Sequence, residues 1–366
     1  SNHFGYHLAH GMRYKTITAI WDCLRARKKA YAHLSTQATT GIIGLAESIT
    51  SIGGFVGGSG DASANRRSSM SYQLIYGDCL EVMPTLGSGS VDAIICDPPY
   101  GTTNCSWDSV IPFHEHIIFN GKTYTKDEFY LHMARHEYSR EEVDAIWNSG
   151  KRDGLWENYN RIIKPRGAIV MFGSQPFTSA LVMSNMAWFR CAWVWQKNQT
   201  TGFLNAKKYP LKAHEDIVVF CKNAPNYYPI KSSGHQQKKT VKRSASEHYG
   251  AQATTEYCST ERYPNTILEF NTVGNLEFEH PTQKPVDLLA YLIRTYTNED
   301  ETILDNTMGS GSTIVAAIRE GRNAIGIERD ADYFAIAQKR CLEATYQPSL
   351  FAPEPQQWQM APMFGD

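Results

Sequence analysis

From Tyr72 onward the sequence alternates two kinds of segment, and this alternation limits the fold more than any other feature. Continuous apolar runs bounded by turn residues occur at 72–76 (YQLIY), 91–96 (VDAIIC), 168–172 (AIVMF), 191–195 (CAWVW), 216–220 (DIVVF), 302–305 (TILD) and 323–327 (NAIGI). Helical patterns occupy 155–163, 176–186, 285–297, 312–320 and 330–344. A strand that is apolar on both faces must be covered on both faces, and intervening helices supply the cover. The pattern therefore predicts a doubly wound α/β sheet.

Three stretches fall outside the alternation. Residues 1–69 are basic early and then Gly/Ser-rich, ending GGSGDASANRRSSM; this is linker composition, and an N-terminal appendage is expected there. Residues 114–153, charged and His-rich, separate a strand from its expected helix and read as an insertion with one or two short helices. Residues 196–265 are polar, basic and aromatic, with KSSGHQQKKTVKRSASEHYG (231–250) as a loop-like centre. The catalytic domain is expected over 70–345, followed by a flexible tail, 346–366.

Charge narrows the partners. The chain carries 36 Lys+Arg against 37 Asp+Glu, so global charge cannot hold it on a polyanion, and any such partner must meet a local patch. One exists: residues 196–262 contain 11 Lys/Arg against 5 Asp/Glu. The eight cysteines show no metal-binding spacing, which argues for reduced thiols and no metal. No run reaches the roughly 20 apolar residues of a membrane span; the interrupted stretch 41–58 is read as a short helix and linker.

The sharpest motif is Asp97-Pro98-Pro99-Tyr100, directly after VDAIIC. Chance occurrence of this tetrapeptide in such a chain is on the order of one in a thousand, and the C-terminal end of a strand is where α/β proteins bind ligands. A carboxylate and an inward-facing backbone carbonyl suit an exocyclic amino group with two N–H donors. Bonding both protons leaves the nitrogen lone pair available for attack. Pro98 and Pro99 fix the loop, and Tyr100 offers a face for a planar base. The plainer alternative is a stiff turn closing a strand.

A second motif, Asp305-Asn306-Thr307-Met308-Gly309-Ser310-Gly311-Ser312-Thr313, joins a strand to a helix. Glycines permit close approach of a ligand, and the helix start supplies free N–H groups. Glu328 follows Gly311 by 17 residues, the kind of spacing that brings an acid to ribose hydroxyls. His280-Pro281-Thr282-Gln283-Lys284-Pro285 precedes a helix, and Gly77-Asp78-Cys79-Leu80 ends a strand; each alone is an ordinary turn. After Glu328 the chain makes one helix and then a Pro/Gln-rich tail, so the Gly-loop half lacks its third strand. The strand ending near Asp78 can supply it, with the Asp97 strand on the other side of the Gly-loop strand.

These motifs, in this order, resemble the permuted, beta-class amino-methyltransferases of DNA, over roughly residues 70–345. The resemblance implies a Rossmann-like, seven-stranded, mostly parallel methyltransferase sheet, circularly permuted, with an inserted DNA-recognition region. It implies S-adenosylmethionine (SAM) as cofactor, S-adenosylhomocysteine as product, and a base flipped out of double-stranded DNA. Asp at the first catalytic position favours adenine N6, with Asp97, Pro98, Pro99 and Tyr100 catalytic. The cofactor residues implied are Asp78, Cys79, Asp97, Thr282, Lys284, Asp305, Thr307, Gly309, Ser310, Gly311, Thr313 and Glu328. Asn306-Thr307-Met308 replaces the family's commoner Pro-Phe-Ala/Met, so an aromatic cofactor contact is missing and rearranged packing is expected.

Cytosine N4 is the alternative target, and an RNA or protein amide a more distant one. A catalytically silent SAM- or DNA-binding module is the non-enzymatic alternative. Lys207, Lys208, Lys238, Lys239, Lys242 and Arg243 are the expected phosphate contacts. The resemblance suggests a homodimer and a cytoplasmic, bacterial or phage-encoded protein, held at the nucleoid by DNA and associated with restriction-modification or with an orphan methylase role. Gln347-Pro348-Ser349-Leu350-Phe351 looks like a sliding-clamp docking peptide, or else packs back on its own domain.

Overall fold

The computed structural model describes residues 71–103, 108–136, 138–241, 256–273 and 283–346. The expectations for residues 1–69, for Thr282, Lys242 and Arg243, and for Gln347–Phe351 lie outside the described residues.

In chain order the elements are β1 (Tyr72–Tyr76), α1 (Cys79–Val82), β2 (Val91–Cys96), β3 (His116–Phe119), β4 (Lys122–Thr125), α2 (Lys126–Ala134), α3 (Arg140–Gly150) and β5 (Lys151–Arg152). There follow α4 (Leu155–Ile162), β6 (Ile163–Gly173), α5 (Phe177–Ser184), β7 (Phe189–Thr201), β8 (Lys212–Phe220), β9 (Lys238–Val241), β10 (Glu256–Ser259) and β11 (Ile267–Phe270). The last are α6 (Val286–Tyr296), β12 (Thr302–Asp305), α7 (Ser312–Arg319), β13 (Asn323–Glu328) and α8 (Ala331–Tyr346).

The main sheet has the order β1-β13-β12-β2-β6-β8-β7-β11. Pairing is parallel from β1 to β6, antiparallel on both sides of β8, and parallel again between β7 and β11. All seven expected strands are present. The sheet is nevertheless eight-stranded, which corrects the expected seven: Ile267–Phe270 pairs with Val194–Lys197 at the edge. Its sequence, ILEF, is short, and only Leu268 of the four is buried, so no apolar run announced it. As expected, β1 lies beside β13, and β2 beside β12.

Side-chain alternation divides the core between the two faces of the sheet. Ala168, Val170 and Phe172 of β6 join Ile217 and Val219 of β8 against α6 and α7. Ile169 and Met171 join Val218 and Phe220 against α4 and α5. The central strands are thus buried on both sides, as continuous apolar runs require.

Residues 114–153, expected to hold one or two short helices, hold two, and also three strands that the sequence reading missed. β4, β3 and β5 form a separate antiparallel sheet. Thr125 and Ser139 cap α2 and α3, each with a reciprocal glutamate, Glu128 and Glu142, a pairing that satisfies orphan N–H groups at a helix start. Ile117, Phe129, Met133, Val143 and Trp147 form a small core of their own.

Candidate active site

The C-terminal ends of β1, β2, β12 and β13 open into one cavity of about 800 Å³. It is lined by Gly77–Leu80 from the β1 turn, Asp97–Tyr100 from the β2 turn, Asp305–Ser310 after β12 and Glu328 ending β13, with Lys197, Lys212 and Glu215 from the β7–β8 hairpin and Lys284 before α6. Chain segments more than 200 residues apart converge because parallel strands all point their C-terminal ends to one edge.

Asp97 stands where these groups meet. The Tyr100 hydroxyl donates to its Oδ1 at 2.6 Å, and the Lys284 ammonium donates to its Oδ2. Lys284 is 7% exposed, and its Nζ is also 3.4 Å from Glu215 Oε2. Glu215 in turn pairs with Lys197 through Oε1. Burial pushes the Asp97 carboxyl up, against the opposing charge of Lys284. Burial disfavours the Lys284 charge, but Asp97 and Glu215 outweigh it and hold the ammonium above the ordinary lysine value. Glu215 is held below the ordinary carboxylate value, because Lys284 and Lys197 overcome its burial. The result is a fixed row of alternating charges, Lys197–Glu215–Lys284–Asp97.

The loop after Tyr100 is held by Asp108, whose Oδ1 accepts from the Gly101 N–H at 2.8 Å and whose Oδ2 accepts from Thr102 and Thr103 N–H at 2.9 and 2.6 Å. Burial opposes ionisation of Asp108, but the hydrogen bonds from Thr103, Gly101 and Thr102 prevail and hold its carboxyl low. Tyr100 stacks on Phe177, with ring centroids 5.0 Å apart and planes 26° apart.

The opposite wall is the Gly loop. Glu328 accepts from the Gly309 N–H at 2.9 Å and from the Asp330 N–H at 2.8 Å, which ties the loop to the end of β13. Arg340 of α8 donates to the Ser310 carbonyl and hydroxyl at 2.7 and 2.8 Å and to the Ser312 hydroxyl at 3.0 Å. The Asn306 Oδ1 accepts from the buried Tyr159 hydroxyl at 2.7 Å. Asp305 is 3% exposed, and burial pushes its carboxyl up to about 7 even though it accepts from Thr313 and the Thr307 N–H. Against Asn306, Cys79 is buried, and burial pushes its thiol up to about 12, so it presents a neutral, apolar surface.

The cavity brings together Asp78, Cys79, Asp97, Pro98, Pro99, Tyr100, Lys284, Asp305, Thr307, Gly309, Ser310, Thr313 and Glu328. Gly311 alone among the described cofactor candidates is not in its lining. Its φ is +81°, and an added Cβ would lie 3.0 Å from that of Ala337; this glycine serves the turn and the close approach of α8. Lys207 and Lys208 lie on the exposed hairpin tip, while Lys238 and Lys239 lie on β9 of a separate two-stranded sheet. Sequence reading missed Lys197, Glu215 and Asp108. Charged residues inside an apolar strand pattern were the available signal for the first two: Lys197 and Glu215 extend the runs CAWVW and DIVVF. No group of three or more metal-ligating side chains occurs among the described residues.

Known proteins share sequence with this chain over most of its length. The chain is 26% identical over 273 residues to the DNA adenine methyltransferase YhdJ of Escherichia coli (strain K12), covering 73% of this chain and 81% of that one. It is 24% identical over 279 residues to the Type II methyltransferase M.HpaI of Haemophilus parainfluenzae, covering 74% of each. Similar solved structures include the M1.HpyAVI–SAM complex (22% identity, TM-score 0.43, 74% of this chain and 98% of that one) and the cytosine-N4-specific PvuII DNA methyltransferase (16%, 0.45, 74% and 88%). A family model for N6/N4 DNA methylases matches residues 91–339, more than half of the chain, and the protein therefore belongs to that family.

Proposed function

We propose that the protein transfers a methyl group from SAM to adenine N6 in double-stranded DNA, and that the order of its motifs reflects a circularly permuted methyltransferase sheet. The observation that carries the reading is Asp97. It is a carboxylate at the seam between the Gly loop and the hairpin wall, and its position is fixed by Tyr100 and Lys284.

The residues on the Gly-loop side fit SAM. The cavity is large enough for a nucleoside joined to an amino acid, and its Gly-loop wall ends in two carboxylates, Asp78 and Glu328. Thr307 Oγ1 is a buried hydroxyl without a hydrogen-bond partner among the described residues. In this reading Glu328 takes the ribose hydroxyls with lone pairs left over from Gly309 and Asp330, and Asp78 and Cys79 border the adenine. Tyr333, which also lines the cavity, is placed to replace the missing family aromatic. Bound SAM supplies an electrophilic methyl group on a good leaving group.

On the target side, each Asp97 oxygen keeps a lone pair beyond those used by Tyr100 and Lys284. Asp97 and the Pro98 carbonyl accept the two amino protons, which orients the nitrogen lone pair and stabilises positive charge developing there. Tyr100, backed by Phe177, stacks the flipped base with its remaining face. Burial holds the Cys79 and Cys96 thiols neutral, so neither is an activated nucleophile for C5 chemistry. The 196–265 region, which carries Lys207 and Lys208 on the exposed hairpin tip, recognises DNA.

Incubation with methyl-labelled SAM and DNA, RNA or protein, followed by nucleoside analysis, tests the reading. N6-methyladenine from DNA is expected; N4-methylcytosine, or label in RNA or protein alone, overturns it.

A further inference from the structure

The tip of the β7–β8 hairpin departs from what a soluble surface normally shows. Leu204 is fully exposed at 100%, Phe203 at 80% and Tyr209 at 68%. The tip is not slack. Gly202 turns the chain with φ +89°, and backbone bonds follow from Asn205 N–H to the Gly202 carbonyl at 2.9 Å, Ala206 to Phe203 at 3.1 Å, Lys208 to Asn205 at 2.8 Å and Tyr209 to Asn205 at 3.0 Å. These consecutive turns fix the backbone of the tip while Phe203 and Leu204 stand outward. Thr201 pairs with Lys212 at the base of the tip, and both residues line the cavity that holds Asp97. Lys212 also donates to Ser174 Oγ at 2.5 Å, which anchors the base of the tip to the end of β6. The apolar pair is therefore carried on a tip whose base lines the cavity, and Lys207 and Lys208 follow it in the chain.

We infer that Phe203 and Leu204 are a wedge that enters duplex DNA beside the target base and fills the gap left when that base turns into the cavity. The inference rests on the proposed action on double-stranded DNA. A flipped base leaves unstacked neighbours, and an apolar side chain inserted there replaces part of the lost stacking. Lys207 and Lys208, which follow the pair on the same exposed tip, suit the phosphates of the same step, so the charge fits a duplex and gives no reason for a purely apolar partner. Phe203 and Leu204 do not touch Asp97 in this arrangement and act by positioning the base.

The test uses the full chain and a duplex carrying the site mapped from DNA that the enzyme has methylated. Combined Phe203→Ala and Leu204→Ala substitution is expected to slow methyl transfer on the matched duplex by about 10- to 100-fold, and to abolish the fluorescence rise of 2-aminopurine at the target position. Removing the base opposite the target, which makes flipping easier, is expected to restore the variant to within about threefold of the unsubstituted protein. Phe203→Leu with Leu204→Met, which keeps the apolar bulk, is expected to restore the matched duplex. Equal losses on both duplexes, or no loss on either, overturn the wedge. Transfer by the unsubstituted protein to the matched duplex is the control for the underlying reading, and its absence overturns that reading and the wedge with it.

Discussion

The two walls of the cavity follow opposite rules. On the Gly-loop side Asp305, Asn306, Ser310, Ser312 and Thr313 are all buried, and Arg340, Tyr159 and Glu328 bond the loop from three directions. On the hairpin side every residue from Thr201 to Ala213 is exposed, and the largest side chains point outward. A ligand of fixed shape rewards a wall that is rigid before it arrives. A long, repetitive partner that must be opened rewards groups that reach into it. Asp97 and its charge row sit between the two, which is where a group must be if it is to face both.

The largest effect is expected at that seam. In the proposed reaction Asp97→Ala removes the acceptor for the amino protons, and methyl transfer should fall by about 10³-fold or more, while SAM affinity measured by calorimetry changes little. Undiminished transfer would assign the chemistry to another residue.

Lys284→Met should have a smaller effect that depends on pH. Tyr100, Glu215 and Lys284 are the titratable groups against Asp97. Loss of the ammonium leaves burial and the Glu215 charge, both of which raise the Asp97 carboxyl further. The proposed transfer needs the ionised carboxylate, so the acidic limb of the rate profile should move up by about one to three pH units. An unmoved limb would show that the charge row does not govern Asp97.

A smaller effect, on stability, is expected inside the Gly-loop wall. Asp305 has a folded value of about 7 against an ordinary value of 3.8. Between those values the folded protein keeps a proton that the unfolded chain has released, so stability of the SAM-free protein should fall as pH rises across this window. Asp305→Asn should flatten that fall and raise Tm at pH 8 by a few degrees. An unchanged dependence of Tm on pH would mean that Asp305 titrates as in the unfolded chain.

The same contrast explains how much could be read from the sequence. The Gly-loop wall and the Asp97 turn were legible because local chemistry dictates them: a positive φ at Gly311 needs glycine, and strand, turn and helix follow in one continuous stretch. All seven apolar strands and the five helices expected outside the 114–153 insertion, now α4 to α8, were legible from periodicity. The charge row was not, because Lys197, Glu215, Lys284 and Asp97 come from four separate segments, and only the strand order brings them together. Strand Ile267–Phe270 was hidden because an edge position demands little burial. The strands at 116–125 were hidden because their core is only five buried residues deep, and its apolar positions are spread thinly among charges. The exposure of Phe203 and Leu204 was not legible, because an apolar residue in a loop has the same sequence signature whether it is buried or exposed.

The central claim is that the cavity has a cofactor wall and a DNA wall that can be damaged separately. Paired equilibrium binding titrations of SAM and of duplex DNA test it directly, with Glu328→Ala for one wall and combined Lys207→Ala and Lys208→Ala for the other. Glu328→Ala should weaken SAM by about tenfold or more and leave DNA affinity within about threefold, since the loss of hydrogen bonds to a charged group costs about 1.5–3 kcal/mol. The lysine variant should leave SAM unchanged and reduce the slope of log affinity against log salt by about 0.9 per lysine. Loss of SAM binding in the lysine variant, or equal loss of both ligands in both variants, would contradict the division.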